Sequence, residues 1–173
     1  MSKKLTYAIF KTRGGWMGIL GSPTGLRRIT LPLPSKEEAI MELGIDDAKQ
    51  NRKFYQELIQ RFKHYFSGQP VEFHDRLDMS QATPFQRVVW RAARKIPYGE
   101  TRRYGWVARQ SGNANASRAV GQALGKNPLP IIVPCHRVVY SNGGLGGFTG
   151  GLAIKKRLLI LEKALKFLSA SFV

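Results

Sequence analysis

The chain has 173 residues, 43% of them hydrophobic, which suffices for one ordinary domain or two small lobes that fold without covalent staples. A single cysteine excludes a disulfide framework, and no long apolar run suggests export or membrane insertion, so we expect a cytoplasmic protein. The formal net charge of +17 attracts polyanions, although solvated lysines and arginines alone would give the same total.

The positive charge is concentrated in the second half of the sequence. Residues 1–80 carry 13 basic and 9 acidic side chains, whereas residues 81–173 carry 15 basic and 2 acidic ones. We therefore predict two lobes with these boundaries, and we expect the second lobe to bind the polyanion.

The first half predicts a small antiparallel sheet followed by a helix. Strand patterns over residues 6–10, 16–20 and 26–31 are separated by glycine-containing turns, which is typical of a meander. A polar passage then leads to a helix predicted over residues 48–66. Its apolar face comprises Phe54, Leu58, Phe62 and either Tyr65 or Phe66. We interpret His64 and His74 as surface or packing residues.

The second half opens with a helix start in which Thr83 is the N-cap, Pro84 the first helical residue and Gln86 the partner in a capping box. Apolar residues then recur at helical spacing until Pro97-Tyr98-Gly99 ends the segment, which predicts a core helix. These apolar residues are Phe85, Val88, Val89, Ala92 and Ile96.

Two short helices, predicted over residues 104–110 and 115–124, flank the turn Ser111-Gly112-Asn113. In a basic region this spacing favours a helix-turn-helix, although an ordinary helical hairpin has the same pattern. The second helix surrounds one long side chain, Arg118, with small ones, which suits either a DNA groove or close helix packing. The small residues are Ala116, Ser117, Ala119, Gly121 and Ala123.

A last helix is predicted over residues 153–165, with an apolar stripe on one face. The stripe comprises Ile154, Leu158, Leu161 and Leu165. Glu162 flanks the stripe, so we expect its carboxylate to be partly desolvated. The alternative is an ordinary surface pair of Glu162 with Lys155 or Lys166.

Reactive side chains are scarce in the second half, where Cys135 and His136 are the sole cysteine and histidine. An apolar, strand-like run ends at Pro134, so we expect the Cys135 thiol at a turn beside two basic residues, which favour the nucleophilic thiolate. His136 can act on this thiol only through a sharp turn or a bridging water. Each residue taken singly also fits a structural role.

Two carboxylates could orient the His136 imidazole, namely Glu100 and Glu162. Glu162 is better placed because it lies on a packed helix, whereas Glu100 follows a loop. One cysteine and one adjacent histidine cannot form a tetrahedral metal site, so we expect no metal.

Six glycines lie between Gly143 and Gly151. Their spacing matches no phosphate-binding loop, so a hairpin or wing that approaches a ligand closely is the better interpretation. Phe148 and Thr149, within this segment, are candidate pocket residues.

The run from Asn127-Pro128 to Pro134-Cys135-His136-Arg137-Val138-Val139 resembles the active-site signature of the alkylguanine-DNA alkyltransferases, also called methylated-DNA protein-cysteine methyltransferases. Further motifs occur in the family order and cover nearly all of residues 80–162, whereas residues 1–79 match only in length and element order. These motifs are Thr83-Pro84-Phe85-Gln86, Pro97-Tyr98-Gly99-Glu100-Thr101, Tyr104, Arg118-Ala119-Val120-Gly121 and Gly150-Gly151-Leu152-Ala153-Ile154-Lys155.

The resemblance implies an α+β fold with a ribonuclease-H-like N-terminal lobe and an all-helical, winged-helix-like C-terminal lobe. Its helix-turn-helix would enter the minor groove of double-stranded DNA that contains alkylated guanine. Arg118 would fill the gap left by a flipped nucleotide, and Tyr104 would help to rotate its phosphate. The small residues Ala116, Ser117, Ala119 and Gly121 would let the helix approach the groove.

The resemblance further implies that Cys135 removes the alkyl group from O6-alkylguanine once per molecule, without a cofactor. Asn127, His136 and Glu162 would support the cysteine. The alkylguanine pocket would be formed by Tyr104, Val138, Phe148, Thr149 and Lys155. A monomer that needs no protein partner is expected, as is possible activity on O4-alkylthymine.

Three residues depart from the family pattern, and two other functions compete. Phe148 replaces the tyrosine of some members, Thr149 replaces a frequent serine, and Arg103 replaces a serine helix cap. A protein that marks lesions without chemistry would lack the cysteine, and a Cys-His hydrolase would need an oxyanion hole and would turn over repeatedly.

Overall fold

The computed structural model describes residues 4–148 and 150–164, and the chain divides into two compact units, Met1–Gln81 and Ala82–Val173. The fold is mixed α+β, with a small, largely antiparallel sheet in the first unit and helices in both. No helix in the described ranges is both long enough and apolar enough to cross a lipid bilayer.

The first unit contains the predicted meander. Its strands are β1 (Thr6–Thr12), β2 (Gly15–Ser22), β3 (Gly25–Ile29) and β4 (Lys49–Gln50), in the sheet order β3-β2-β1-β4. The first three are antiparallel neighbours, and β4 pairs in parallel with β1. Gly15 begins β2 at a φ of +133°, where a Cβ would lie 2.7 Å from the Leu33 carbonyl oxygen, so this turn requires glycine.

Two helices cover this sheet, α1 (Lys36–Leu43) and α2 (Gln56–Phe66). The sequence analysis missed α1, although Ser35 and Glu38 form a complete capping box at its start. The helix predicted over residues 48–66 begins only at Gln56, because residues 49–50 pair with β1 instead. Phe54 therefore lies before the helix and is 71% exposed, whereas Leu58, Phe62 and Tyr65 are buried as predicted.

The second unit is mostly helical. Its α-helices are α3 (Pro84–Ala93), α4 (Tyr104–Gln110), α5 (Ser117–Gly125) and α6 (Leu152–Leu161), and a 3-10 helix spans Cys135–Arg137. Two short strands, β5 (Arg102–Arg103) and β6 (Val138–Val139), pair in parallel. The prediction of an all-helical lobe is therefore modified by this pairing, which holds the segment after Cys135 beside the start of α4.

Helix α3 begins with the predicted capping box, in which the Thr83 hydroxyl accepts from the Gln86 amide and the Gln86 side chain accepts from the Thr83 amide. Its buried face differs from the prediction, since Phe85 and Val88 are 37% and 39% exposed. The buried residues are Val89, Trp90, Ala92 and Ala93. The Trp90 indole N–H also donates to the Ala123 carbonyl at 2.9 Å, which ties α3 to α5.

Candidate active site

Cys135 follows a tight turn rather than the predicted strand-like run. Ile131 has a φ of +73°, Pro130 bridges to Val133, and the Cys135 amide donates to the Val133 carbonyl at 2.8 Å. The backbone therefore reverses just before the cysteine and enters the 3-10 helix Cys135–Arg137. The backbone thus contains a sharp turn at the position where one was expected.

The Asn127 side chain holds this turn and the sulfur together. Its Nδ2 donates to the Val133 carbonyl at 2.9 Å and to Cys135 Sγ at 3.3 Å. Its Oδ1 accepts from the Leu129 amide at 2.9 Å. One amide group thus binds both ends of the turn and the cysteine sulfur, so Asn127 lies where it can support Cys135.

A cleft of about 890 Å³ opens onto Cys135. Six of its lining residues were predicted for the site: Tyr104, Ser117, Arg118, Gly121, Cys135 and Phe148. Four further predicted residues, Ala116, Ala119, Val138 and Lys155, are not part of the described lining. Thr149 lies outside the described residues. The sequence analysis missed Trp106, Arg109, Gln122 and Tyr140, which also line the cleft.

The Tyr104 ring forms one wall of the cleft and is packed on several sides. The Tyr140 ring lies 5.5 Å from it between centroids, and a Cβ on Gly146 would lie 2.8 Å from its hydroxyl oxygen. A Cβ on Gly121 of α5 would lie 3.6 Å from the ring. Burial raises the pKa of Tyr104 to about 12, so its hydroxyl stays protonated and can donate a hydrogen bond into the cleft.

His136, which follows Cys135 in the 3-10 helix, forms a buried pair with Glu162. His136 is fully buried, Glu162 is 1% exposed, and His136 Nε2 lies 2.7 Å from Glu162 Oε1. Burial raises the pKa of Glu162, but His136 and Arg137 outweigh it and lower the pKa to about 2. Because the carboxylate is ionised, Nε2 carries the proton and donates it.

The other ring nitrogen, His136 Nδ1, is buried and has no hydrogen-bond partner among the described residues. Burial lowers the pKa of His136 below its usual range, against the opposing effect of Glu162. The imidazole is therefore neutral, and the lone pair of Nδ1 remains available to accept a proton. Glu100, the other carboxylate of this unit, instead pairs with Arg102 at 2.6 Å near the surface.

The resting protonation state of Cys135 differs from the thiolate that the sequence predicted. Burial raises the pKa of the Cys135 thiol, and it outweighs the hydrogen bond from Asn127 and the charge of Lys155, which lower it. Cys135 thus rests as a thiol rather than as a thiolate. A neutral base nearby is then a chemical requirement for nucleophilic attack.

Lys155 is buried inside the unit rather than on its surface. Its Nζ donates to the Val138 carbonyl at 2.6 Å and to the Gly147 carbonyl at 3.3 Å, so it fastens the glycine-rich segment to β6. Burial lowers the pKa of Lys155 to about 8, although the negative charge of an ionised Cys135 opposes this shift. Lys155 therefore supports the cleft through this segment, and the alternative of a surface pair between Lys155 and Glu162 is wrong. Lys166, the other partner considered for Glu162, lies outside the described residues.

Helices α4 and α5 flank the predicted turn and form the other side of the cleft. Arg118 is exposed and lines the cleft, and Ser117 and Gly121 lie half-buried beside it. Arg103 precedes α4 without a side-chain cap, as the departure from the family pattern suggested. A basic, small-residue helix therefore borders the cavity that contains the thiol.

The chain is similar to proteins and structures of one family. Residues 84–164 match the model of the 6-O-methylguanine DNA methyltransferase DNA-binding domain. The methylated-DNA protein-cysteine methyltransferase of Methanosarcina acetivorans is 41% identical over 156 residues, which are 90% of this chain and 97% of that protein.

Solved structures agree with this similarity over most of the chain. The crystal structure of Mycobacterium tuberculosis OGT in complex with DNA has a TM-score of 0.78 at 36% identity, covering 92% of this chain and 93% of that one. The O6-methylguanine-DNA methyltransferase of Pyrococcus kodakaraensis has a TM-score of 0.67 at 25% identity, covering 91% and 98%.

Proposed function

The chain belongs to the methylated-DNA protein-cysteine methyltransferase family, and on this premise we propose that it repairs O6-alkylguanine in double-stranded DNA by direct reversal. The observation that carries the proposal is a sole cysteine at a cleft, backed by a buried, neutral imidazole and its ionised carboxylate. No cofactor takes part in the transfer.

The reaction follows from the chemistry of the thiol. Cys135 Sγ forms a bond to the alkyl carbon while the bond from that carbon to guanine O6 breaks. His136 Nδ1 accepts the thiol proton, directly or through a water, and the proton then reaches the leaving guanine. The product is a stable thioether, and the sequence contains no second cysteine to cleave it, so each molecule acts once.

We assign DNA contact to the α4–turn–α5 segment, which would act as the helix-turn-helix in the minor groove. Arg118 would fill the gap left by the flipped nucleotide, because it is exposed at the rim of the cleft that receives the base. Ala116, Ser117, Ala119 and Gly121 would permit the close approach of the backbone to the groove. The net positive charge of residues 81–173 favours this contact with phosphates.

The flipped base would lie between Tyr104 and the segment that contains Phe148. Tyr104 would donate its hydroxyl proton in a hydrogen bond to the base, consistent with its raised pKa. Thr149 would contact the edge of the guanine, as the family pattern indicates. Val138 and Lys155 would act indirectly, because their bond holds the glycine-rich segment in place.

The finer features of the fold belong to the same proposal: a ribonuclease-H-like first lobe, covering residues 1–80, and a winged-helix-like second lobe over residues 81–173. The monomeric state, the absence of a required protein partner and the cytoplasmic location expected from the sequence stay predictions.

Intact mass after incubation with O6-methylguanine DNA tests the function. We expect a gain of one methyl group, located on Cys135, and unmodified guanine in the DNA. Cys135→Ala should bind the duplex and gain no mass. DNA binding without any mass gain in the wild-type chain would indicate a lesion-marking protein, and more than one product per molecule would indicate a hydrolase.

A further inference from the structure

Arg137 is a buried arginine next to the site that the sequence analysis treated only as nearby charge. It is 6% exposed, and its Nε and Nη2 each donate to a Glu162 oxygen at 2.9 Å. Its Nη1 donates to the Ile96 carbonyl at 2.7 Å. The guanidinium is thereby fixed in the plane of the carboxylate, which is the geometry of a two-point ion pair.

Glu162 Oε1 is the shared atom of this arrangement, because it accepts from both His136 and Arg137. The guanidinium carries a permanent positive charge and the carboxylate a negative one, so with a neutral imidazole the buried group is electrically balanced. Without Arg137, the same carboxylate would lose the cation that binds both of its oxygens. A buried carboxylate that loses a bound cation takes up a proton more readily, here onto the His136–Glu162 pair.

We propose that Arg137 is a positioning residue of the transfer reaction: by neutralising Glu162, it keeps the His136–Glu162 pair free to accept the proton of Cys135. This inference rests on the proposed function and explains how its base, His136, is kept unprotonated before the reaction. A pair that already carried the proton could not take one from the thiol, and the sulfur would stay protonated.

Among the described residues, Lys155 acts on His136 in the same direction as Arg137. Arg137 and Lys155 both disfavour an imidazolium, whereas Glu162 favours it. The Cys135 thiol becomes negative only when its proton leaves. Because Arg137 lowers the basicity of His136, the imidazole passes the proton on to the departing guanine rather than retaining it.

The pH dependence of benzyl transfer from free O6-benzylguanine tests the inference without involving DNA. The wild-type rate should fall only at a pH below the usual imidazole range, because burial lowers the pKa of His136. In Arg137→Gln this acid limb should move upward by about one pH unit or more, so that the rate on the acid side of both limbs is about tenfold below the wild-type rate. Arg137→Lys retains the positive charge, so its acid limb should stay near the wild-type position even if the rate falls.

The controls separate this inference from the function itself. Arg91→Gln removes an exposed arginine that is not part of the cleft lining, and its profile should match the wild type. A slower Arg137→Gln with an unmoved acid limb would overturn the inference and leave a purely structural role. A wild-type chain that gains no benzyl group would instead overturn the proposed function.

A second measurement needs no variant and covers the case in which Arg137→Gln does not fold. Nitrogen NMR of the wild-type chain distinguishes the three histidines, since His64 and His74 are exposed and His136 is buried. We expect His136 near pH 7 to be neutral, with its proton on Nε2 and an unprotonated Nδ1. An imidazolium signal from His136 at that pH would contradict the proposed role of Arg137.

Discussion

Each unit of the chain contains an arginine that binds a carboxylate at two points and lies beside an aromatic ring. In the first unit, Arg61 binds Asp75 at 2.6 and 2.7 Å and lies 5.6 Å from the Phe73 ring. In the second, Arg137 binds Glu162 at 2.9 Å twice and lies 5.8 Å from the Tyr98 ring.

The two pairs differ in burial and in what else the carboxylate binds. The Arg61 and Asp75 side chains are 25% and 17% exposed, whereas those of Arg137 and Glu162 are 8% and 0% exposed. Desolvation makes the buried pair costly to form, so stability alone is a weak reason for it. The hydrogen bond from His136 to Glu162 supplies the other reason, because it connects this pair to the reactive cysteine.

The largest effect is expected from Glu162→Gln. The change leaves the Arg137 charge buried without its counterion and removes the group that orients His136. We expect a loss of about 3–5 kcal/mol in the free energy of unfolding and a transfer rate lower by about 100-fold or more. Chemical denaturation and the rate of benzyl transfer measure the two effects.

Glu100→Gln is the matched control, because Glu100 is the other carboxylate of the second unit and its side chain is 48% exposed. It should change both quantities little. The stabilisation of the fold by the ionised Glu162 carboxylate should also decrease as the pH falls. Since the folded pKa of about 2 lies below the usual value, the stabilisation is complete above about pH 4.5 and is lost as the pH falls toward 2. Equal losses of unfolding free energy and transfer rate in Glu162→Gln and Glu100→Gln would contradict the expected difference between the buried and the exposed carboxylate.

An intermediate effect is expected from Arg118→Ala, which changes an exposed arginine of the second unit rather than a buried one. Repair of O6-methylguanine in duplex DNA should slow by about tenfold or more, because the flipped state loses its support. Reaction with free O6-benzylguanine should stay within about twofold of the wild type, since no base must then leave a duplex.

Arg91→Ala removes the same charge from α3 without touching the cleft lining and serves as the control for general attraction to DNA. Similar rate losses of Arg118→Ala with duplex DNA and with free O6-benzylguanine would contradict the role of Arg118 in nucleotide flipping.

The smallest effect is expected from Asp75→Asn in the first unit. Loss of this partly exposed pair should cost about 1 kcal/mol or less in the free energy of unfolding, since solvent screens it. The transfer rate should not change, which rate measurements at neutral pH would verify. A large drop in the transfer rate of Asp75→Asn would contradict the assignment of a structural role to Arg61–Asp75 and a reactive role to Arg137–Glu162.

Local sequence patterns predicted those parts of the molecule that depend on neighbouring residues. The capping box at Thr83 and the α4–turn–α5 segment follow from spacing that persists in any context. The scarcity of reactive residues limited the candidates to Cys135, His136 and two carboxylates, and the structure brings His136 into contact with the preferred one, Glu162.

Properties that depend on burial could not be predicted from local sequence patterns. Phe54 has the spacing of a core residue, but the pairing of β4 with β1 shortens its helix and leaves it exposed. The resting protonation of Cys135 depends on desolvation, which no count of neighbouring charges reveals. The role of Arg137 was not predicted because, in a chain with 28 basic residues, nothing in the spacing marks those that are buried.

The contact between Gly146 and Tyr104 limits how this protein can diversify. Any side chain at position 146 would meet the tyrosine hydroxyl and would also adopt an unfavourable φ of +76°. A substitution at position 146 would therefore have to displace the Tyr104 ring or distort the turn, and that ring is a wall of the cleft. We therefore expect changes in the size of the accepted lesion to arise at lining side chains such as Tyr140 and Phe148 rather than at this glycine.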